Sequence, residues 1–128
     1  MNVVEINVLV LAYLGDTIYE NYVRRYLIQQ KIPHVNQLQT MAISYVSAKA
    51  QANFLKELVK LDFFTEDEMS VIRRARNYKS NSHPKNCDIV TYKHATSLEA
   101  VIGYLDLSFK QDRVSMIMNY ILKGDFLC

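Results

Sequence analysis

Residues 11–20, LAYLGDTIYE, place a glycine and an aspartate inside an otherwise apolar helical pattern. The pattern runs from about Asn2 to Gln30 and is interrupted only by Gly15. It stops at Ile32-Pro33, because the residue before a proline is pushed out of the helical region. We find no alternating strand pattern of useful length elsewhere in the chain. The sequence therefore predicts an all-α fold that begins with a long helix.

Capping signals divide the rest of the chain into helices. Thr65 and Glu68 have the spacing of a capping box, which predicts a helix from there to about Asn77. Residues 78–87 (YKSNSHPKNC) are polar and contain a proline, so they are predicted to form a loop. Asn36 is expected to cap a helix, and residues 37–61 form an apolar helical segment in which Ser47 is an internal cap at a bend. Two more helices are expected over about 89–107 and 111–122, and Gly124 is expected to terminate the last one.

Length and composition favour one domain. The 128 residues are 50% hydrophobic and 22% charged, enough for a single core, so we expect one domain over 1–128. The longest apolar stretch, Val8 to Leu14, is too short to span a membrane, and no basic segment precedes it as in a signal peptide. We therefore expect a cytoplasmic location without membrane contact. Cys87 and Cys128 share no ligand spacing with the histidines, which argues against zinc and against a disulfide framework.

Positive charge is concentrated in one stretch. Between Arg73 and His94 the chain has six Lys and Arg residues and one acid, a local charge of +5 on a chain whose net charge is +2. One interpretation is that arginines near a helix C-terminus complement its dipole and stay solvated. The other is that the patch meets a polyanion at one face, and the loop that follows adds polar residues suited to phosphate and 2′-hydroxyl contacts.

Two isolated carboxylates stand out. Asp16 follows an apolar run, and burying an unpaired charge costs several kcal/mol, so it either has a partner or faces solvent through the gap left by Gly15. Glu20 lies one turn later and is expected to pair with Arg24. Glu99 lies in the middle of a second apolar helix. If the two helices pack together, Asp16 and Glu99 could share one Mg²⁺, which commonly uses one or two carboxylates plus phosphate. The alternative is a buried Glu99 bonded to a tyrosine hydroxyl or an arginine.

These residues carry a family resemblance. The segment at 11–20 resembles the LEFLGD-type helix of the ribonuclease III domain, and 97–105 (SLEAVIGYL) resembles its second motif helix. The segments 45–52 (YVSAKAQA), 73–77 (RRARN) and 84–86 (PKN) are similar to the Mini-ribonuclease III subfamily, so the resemblance covers nearly the whole chain. That subfamily lacks a double-stranded-RNA-binding domain, and we expect the same of this chain.

The resemblance implies which residues perform the chemistry. Asp16 and Glu99 match the essential metal-binding aspartate and glutamate, so we expect a Mg²⁺-dependent endoribonuclease that leaves 5′-phosphate ends. Two carboxylate positions of the parent family are Ala12 and Thr96 here, which favours one protein-held Mg²⁺, although a second ion could enter with the substrate. The residues we expect to bind RNA are those of the basic stretch, Arg73, Arg74, Arg76, Asn77, Lys79 and Lys85. Lys49 either joins them or is an ordinary surface lysine.

The resemblance also implies a biological setting. The substrate would be double-stranded RNA, specifically the precursor of the large-subunit (23S) ribosomal RNA. A two-fold homodimer is expected, because Val8 to Leu14 is apolar around the whole helix, more than a core of this size needs. Two alternatives remain at this point. The missing carboxylates suit a non-catalytic RNA-binding or ribosome-assembly module, and a helical DNA-binding regulator is disfavoured because no short helix-turn-helix is evident.

Overall fold

A computed structural model of the chain describes residues 1–79 and 83–126. The regular structure of these residues is entirely helical, which confirms the predicted all-α class. A short 3-10 helix, Val3–Glu5, is followed by α1 (Val8–Gln29), α2 (Val35–Val46), α3 (Ala48–Lys60), α4 (Glu66–Arg76), α5 (Ile89–Leu107) and α6 (Gln111–Lys123). Residues 80–82 of the predicted loop and Cys128 lie outside the described residues. No helix of the described ranges is long and apolar enough to cross a membrane.

Several predicted helix ends are confirmed by local geometry. The Ser47 hydroxyl accepts a hydrogen bond from the Ala50 amide at 3.2 Å, so the segment 37–61 divides into α2 and α3 at this cap. The capping box of α4 is present in both directions: the Glu68 amide donates to the Thr65 hydroxyl, and the Thr65 amide donates to the Glu68 carboxylate. Gly124 ends α6 with a φ of 83°, the left-handed conformation that favours glycine.

Two predicted helix starts are wrong. The helix expected over about Asn2 to Gln30 is divided, because the Asn7 side chain accepts from the Leu9 amide at 2.8 Å and starts α1 there. Asparagine side chains compete with helical backbone bonds in this way. Asn36 does not cap α2, which begins one residue earlier at Val35 without any side-chain cap. A residue type that often forms caps does not decide where α2 begins, because the packing of α2 against α1 sets the position of the helix.

The longest run of buried residues belongs to α5. Helices α1, α3 and α4 pack around it, and every residue from Ala95 to Leu105 is buried except Glu99, which is half-buried. Burial on all sides of a helix is typical of the centre of a bundle. By contrast, α2 packs on α1 and α3 and buries none of its residues fully. The arrangement leaves Glu99 as a carboxylate at the edge of the core.

Two glycines bring the backbones of α1 and α5 into direct contact. A Cβ atom at Gly15 would lie 1.7 Å from the carbonyl oxygen of Glu99, and one at Gly103 would lie 2.0 Å from the carbonyl oxygen of Leu11. Any side chain at either position would overlap the facing helix backbone. The two contacts are reciprocal and one turn apart on each helix. They fix the segment that carries Asp16 against the segment that carries Glu99.

Candidate active site

Asp16 and Glu99 meet where α1 crosses α5. Asp16 follows Gly15 on α1 and is exposed, whereas Glu99 is half-buried on α5. Their side chains are within hydrogen-bonding reach of each other. Gly15 does not open a gap to solvent, because its backbone rests on that of Glu99. The two carboxylates singled out from the sequence therefore form one site, open to solvent on the side of Asp16.

The electrostatics of this pair favour a cation. The pKa of Glu99 is raised from 4.5 to about 9, first by burial and then by the hydrogen bond to Asp16 and the negative charge of Asp16. A hydrogen bond from Gln51 acts in the opposite direction, and the charge of Glu20 adds a further increase. Two carboxylates held this close repel each other when both are ionised. A divalent cation between them would remove that repulsion.

The donor set fits Mg²⁺. This hard cation takes oxygen ligands, retains several waters and is commonly held by one or two carboxylates together with substrate phosphates. Within residues 1–79 and 83–126, no group of three or more His, Cys, Asp and Glu side chains is arranged to hold a metal ion. Asp16 and Glu99 are thus a two-carboxylate site whose remaining ligands would come from water or substrate.

At Ala12 and Thr96 the resemblance noted from the sequence would lead us to expect two more carboxylates. Both residues are buried, at 7% exposure each. The Thr96 hydroxyl donates to the carbonyl oxygen of Tyr92, one turn earlier on its own helix, at 2.9 Å. Thr96 therefore satisfies its hydrogen-bonding group within α5. The low exposure of both side chains leaves Asp16 and Glu99 as the carboxylates available at the crossing.

Glu20 has the role predicted for it. Its carboxylate accepts a hydrogen bond from the Arg24 guanidinium at 3.1 Å, and both side chains are solvent-exposed. Glu20 is near enough to raise the pKa of Glu99 through its charge. An exposed ion pair of this kind contributes little to stability. Glu20 thus adds negative potential near the Asp16–Glu99 pair while its own charge is partnered.

Comparisons with known proteins identify the family of this chain. A ribonuclease III domain profile matches residues 9–110. Mini-ribonuclease 3 of Brevibacillus brevis is 50% identical over 112 residues, which cover 88% of this chain and 82% of that protein. Mini-ribonuclease 3 of Staphylococcus aureus is 40% identical over 117 residues, which cover 91% and 87%. The crystal structure of a Fusobacterium nucleatum protein is similar at a TM-score of 0.83 and 32% identity, covering 94% of both chains. This chain belongs to the Mini-ribonuclease 3 family.

Membership of the Mini-ribonuclease 3 family makes the chain an endoribonuclease, a hydrolase that acts on double-stranded RNA. It favours the enzyme over the non-catalytic RNA-binding module and over the DNA-binding regulator. The ribonuclease III fold expected from the sequence is confirmed by the matched domain and by the similar crystal structure.

The basic residues singled out from the sequence are all exposed. Arg73, Arg74 and Arg76 form the last turn of α4, opposite an acidic first turn, so they also complement the helix dipole. The Arg74 guanidinium donates to the carbonyl oxygen of Val4 at 3.0 Å and thereby ties the amino-terminal segment to α4. The remaining members are Asn77 and Lys79 after α4, Lys85 before α5, and Lys49 in the first turn of α3.

One lysine that sequence reasoning did not single out, Lys56, extends this surface. Burial is the largest cause that lowers the pKa of His94 on α5, followed by the charges of Lys56 on α3 and Arg76 on α4. Those two cations therefore lie near His94, and they connect the basic face of α4 to α3. No signal in the sequence relates Lys56 to Arg76, because their proximity depends on how α3 and α4 pack against α5.

Gln51 was also missed. It is a polar residue on α3 with 3% exposure, and its side chain acts to lower the pKa of Glu99, against the larger effects of burial and Asp16. A signal for it exists in the sequence. Gln51, Leu55 and Leu58 share a helical stripe, so the apolar pattern places Gln51 on the buried face of α3. A lone amide on such a stripe indicates a specific polar partner inside the fold.

Proposed function

We propose that the chain cleaves double-stranded RNA with Mg²⁺ held by Asp16 and Glu99, leaving 5′-phosphate and 3′-hydroxyl ends. The observation that carries this proposal is the meeting of the two carboxylates at the crossing of α1 and α5. Burial and the neighbouring Asp16 raise the pKa of Glu99, and a cation would oppose both effects by stabilising the ionised carboxylate. Family membership supplies the class of reaction.

The chain's own residues have distinct parts in this reaction. Glu99 is fixed by the buried segment of α5, and Asp16 reaches the same point from the exposed side of α1. Bound Mg²⁺ supplies a Lewis acid that activates water and neutralises charge on phosphate oxygens. Because the nucleophile is water, no serine, cysteine or histidine side chain is needed as a nucleophile. The open side of the site leaves room for a duplex to approach Asp16.

We assign RNA binding to the basic surface formed by Arg73, Arg76, Asn77, Lys79 and Lys85, with Arg74 and Lys49 at its margins. In the described part of the chain, no acidic side chain forms an ion pair with these arginines and lysines. Their charges are therefore free to meet phosphates. A-form RNA is recognised largely through its shape, phosphates and 2′-hydroxyls, which suits exposed Lys, Arg and Asn side chains.

The natural substrate we propose is the precursor of the large-subunit (23S) ribosomal RNA, and the place of action the cytoplasm. The support is the resemblance in sequence and the relatives named Mini-ribonuclease 3. We further propose that residues 1–128 act as a single catalytic domain, so that the basic surface supplies the RNA affinity. The matched domain spans residues 9–110, and α6 packs directly against α5.

We propose that the active species is a two-fold dimer. Leu9, Val10 and Tyr13 on α1 are 40%, 56% and 81% exposed, and they lie beside the core residues of the same helix. An apolar face of this kind next to an active site is typical of a protein interface. A dyad near α1 would place two Asp16–Glu99 pairs toward one duplex, so that each could cut one strand.

The metal assignment is tested by single-turnover cleavage of a labelled RNA duplex over a Mg²⁺ titration. Asp16→Asn and Glu99→Gln keep side-chain shape and remove the anionic charge. Each should reduce the rate by more than the roughly 10- to 100-fold typical of losing a residue that only orients a metal ligand. Duplex binding should persist in both variants.

Glu20→Gln is the matched control, because Glu20 carries the same charge nearby and has its own partner in Arg24. It should keep most of the activity. A near-normal rate for Asp16→Asn at saturating Mg²⁺ would falsify the metal assignment. A loss in Glu20→Gln as deep as in Asp16→Asn would show that Glu20 is itself a ligand.

A further inference from the structure

A cavity of about 200 Å³ lies where the start of α1, the end of α4 and the first half of α5 meet. Its lining includes Tyr78, which follows α4, and Tyr92, Lys93 and Thr96 on α5. Leu9 on α1 is among the lining residues that remain, and these are all aliphatic. Pockets for drug-sized ligands are larger, roughly 300–1,000 Å³. The size of this cavity therefore suits a single ring system.

The cavity adjoins the candidate active site. Thr96 lies one turn before Glu99, and Tyr92 lies two turns before Glu99 on the same stripe of α5. On α1, Leu9 lies two turns before Asp16. Two turns of an α-helix span about 11 Å. Along both helices, the lining of the cavity is thus within about this distance of the residues that carry the two carboxylates.

Three polar side chains that line the cavity have no partner in the described part of the chain. The hydroxyls of Tyr78 and Tyr92 form no hydrogen bond with a described residue, and the Lys93 ammonium forms no ion pair with one. All three side chains are partly exposed. Aromatic faces bind nucleobases by stacking, and lysine binds phosphate. Two tyrosines and one lysine around a cavity of this size therefore have the chemistry of a nucleotide site.

We propose that this cavity binds one unpaired nucleobase of the RNA substrate, with Lys93 contacting the phosphate of the same nucleotide. The inference rests on the proposed function, because it takes the substrate to be RNA. A base that stays paired lies inside the duplex and cannot enter the cavity. Leaving the stack costs least where a base is already mismatched or unpaired. The favoured substrate is thus an RNA duplex with an unpaired nucleotide beside the cleaved bond.

The cavity continues the surface that we assign to RNA binding. Tyr78 stands between Asn77 and Lys79 in the chain, and both of these residues are exposed. The cavity lies between this end of α4 and the crossing of α1 and α5. A duplex that extends from the basic surface to Asp16 and Glu99 passes over the cavity. A nucleotide close to the cleaved bond is therefore the one that faces it.

The test compares a fully paired duplex with one that carries a single extra nucleotide beside the mapped cleavage site. At subsaturating enzyme, wild type should cleave the bulged duplex at least about fivefold faster, the lower end of what one base–aromatic stack supplies. Tyr92→Phe keeps the ring and should keep this ratio, whereas Tyr92→Leu should bring it close to one. Tyr78→Leu removes the other ring and should also lower it. Circular dichroism confirms that each variant folds.

A binding measurement does not depend on cleavage. With 2-aminopurine as the extra nucleotide and EDTA present, wild type should change the fluorescence of the bulged duplex, because the base moves against a tyrosine ring. Tyr92→Leu should lose this change. Tyr22→Leu is the matched control, because Tyr22 is also half-buried but contacts Ser115 on α6, away from the cavity. If Tyr22→Leu altered the ratio and the fluorescence as much as Tyr92→Leu, the proposal would be overturned.

The outcomes separate this proposal from the one beneath it. Equal cleavage of the two duplexes by wild type, with no change in fluorescence, overturns the cavity proposal and leaves the proposed function intact. Normal cleavage by Asp16→Asn overturns the metal assignment, while the fluorescence still tests the cavity. Leu9 also belongs to the apolar face that we assign to the dimer. If Tyr92→Leu lowered the mass in light scattering and left the ratio unchanged, the occupant would be a second copy of the chain and not RNA.

Discussion

At the scale of single residues, Glu99 decides how the site responds to pH. Its pKa is raised from 4.5 to about 9 in the folded, metal-free protein. The folded state therefore holds a proton that the unfolded state releases between these two values. The free energy of unfolding must consequently fall as pH rises through that window. Without metal, the protein is therefore least stable at high pH, where both carboxylates are ionised. The ionised pair is nevertheless the form that binds the cation.

This leads to the first prediction. In EDTA, Glu99→Gln should be more stable than wild type at pH 8 and should lose the wild-type decrease in stability between pH 5 and pH 8. Mg²⁺ at pH 8 should stabilise wild type and leave the variant unchanged, because the ion binds only a folded site with both carboxylates. Urea unfolding at the two pH values measures both effects. Identical pH slopes for wild type and variant would contradict the assignment.

At the scale of helices, the crossing of α1 and α5 depends on two glycines. The second prediction is that Gly15→Ala or Gly103→Ala destabilises the protein by about 3 kcal/mol or more, at or above the usual range for overpacking. The added methyl group would meet backbone atoms of the facing helix, which cannot rotate away. Forced separation of the helices should also weaken the binding of Mn²⁺, a paramagnetic probe for the proposed Mg²⁺ site, because it moves Asp16 away from Glu99. Thermal and urea unfolding, with the metal titration, provide the measurements.

Gly124→Ala is the matched control for those two substitutions. Gly124 has a φ of 83°, and an added methyl group would have no heavy atom of another part of the chain within 4 Å, so its cost is backbone strain alone. That cost is about 1–2 kcal/mol for a left-handed residue with a side chain. Metal binding should be unaffected. If Gly15→Ala were no more costly than Gly124→Ala, close approach of the two backbones would not be what constrains the crossing of α1 and α5.

The basic surface between α4 and α5 is also a feature of elements. The third prediction is that replacing Arg73, Arg76, Lys79 and Lys85 with glutamine weakens duplex binding and flattens its salt dependence. Removing one phosphate contact should lower the slope of log affinity against log salt by about 0.9, if the duplex value for DNA is taken as a guide. Arg74 is left in place because it holds the amino-terminal segment. Filter binding at several salt concentrations gives the slope.

Four exposed lysines elsewhere supply a control of equal charge change: Lys31, Lys60, Lys110 and Lys123. Their replacement by glutamine should change affinity much less, because net charge alone gives only weak, long-range attraction that salt screens. If both variants lost the same amount of duplex affinity, the effect would come from net charge and not from a specific RNA-binding surface.

At the scale of the whole molecule, the exposed apolar face of α1 bears on assembly. The fourth prediction is that Val10→Lys, which places a charge in that face, converts a dimer into a monomer and lowers cleavage of both strands of a duplex. Ile43→Lys is the control, since Ile43 on α2 is about as exposed as Val10 but lies outside that face. Light scattering at micromolar concentration measures the mass. A wild-type monomer with full activity would contradict the dimer.

The sequence alone determined what local hydrogen bonds can specify. Several helix ends depend on contacts within four residues, so the local sequence is sufficient to predict them. These are the ends at Ser47, at Thr65 with Glu68, and at Gly124. Family motifs likewise singled out Asp16 and Glu99 as candidate site residues. Asn36 shows where this kind of reasoning fails: the residue type suits a cap, but the packing of α2 on α1 starts the helix elsewhere.

Only the tertiary structure decided the interactions that join distant parts of the chain. That Gly15 rests on the backbone of Glu99, and that Gly103 rests on the backbone of Leu11, follows from how α1 and α5 cross. Such contacts link residues that are far apart in sequence, and no local pattern encodes the angle or depth of a helix crossing. Close packing sets both, because the fully buried segment of α5 admits the other helices only where their side chains, or the lack of one at a glycine, fit.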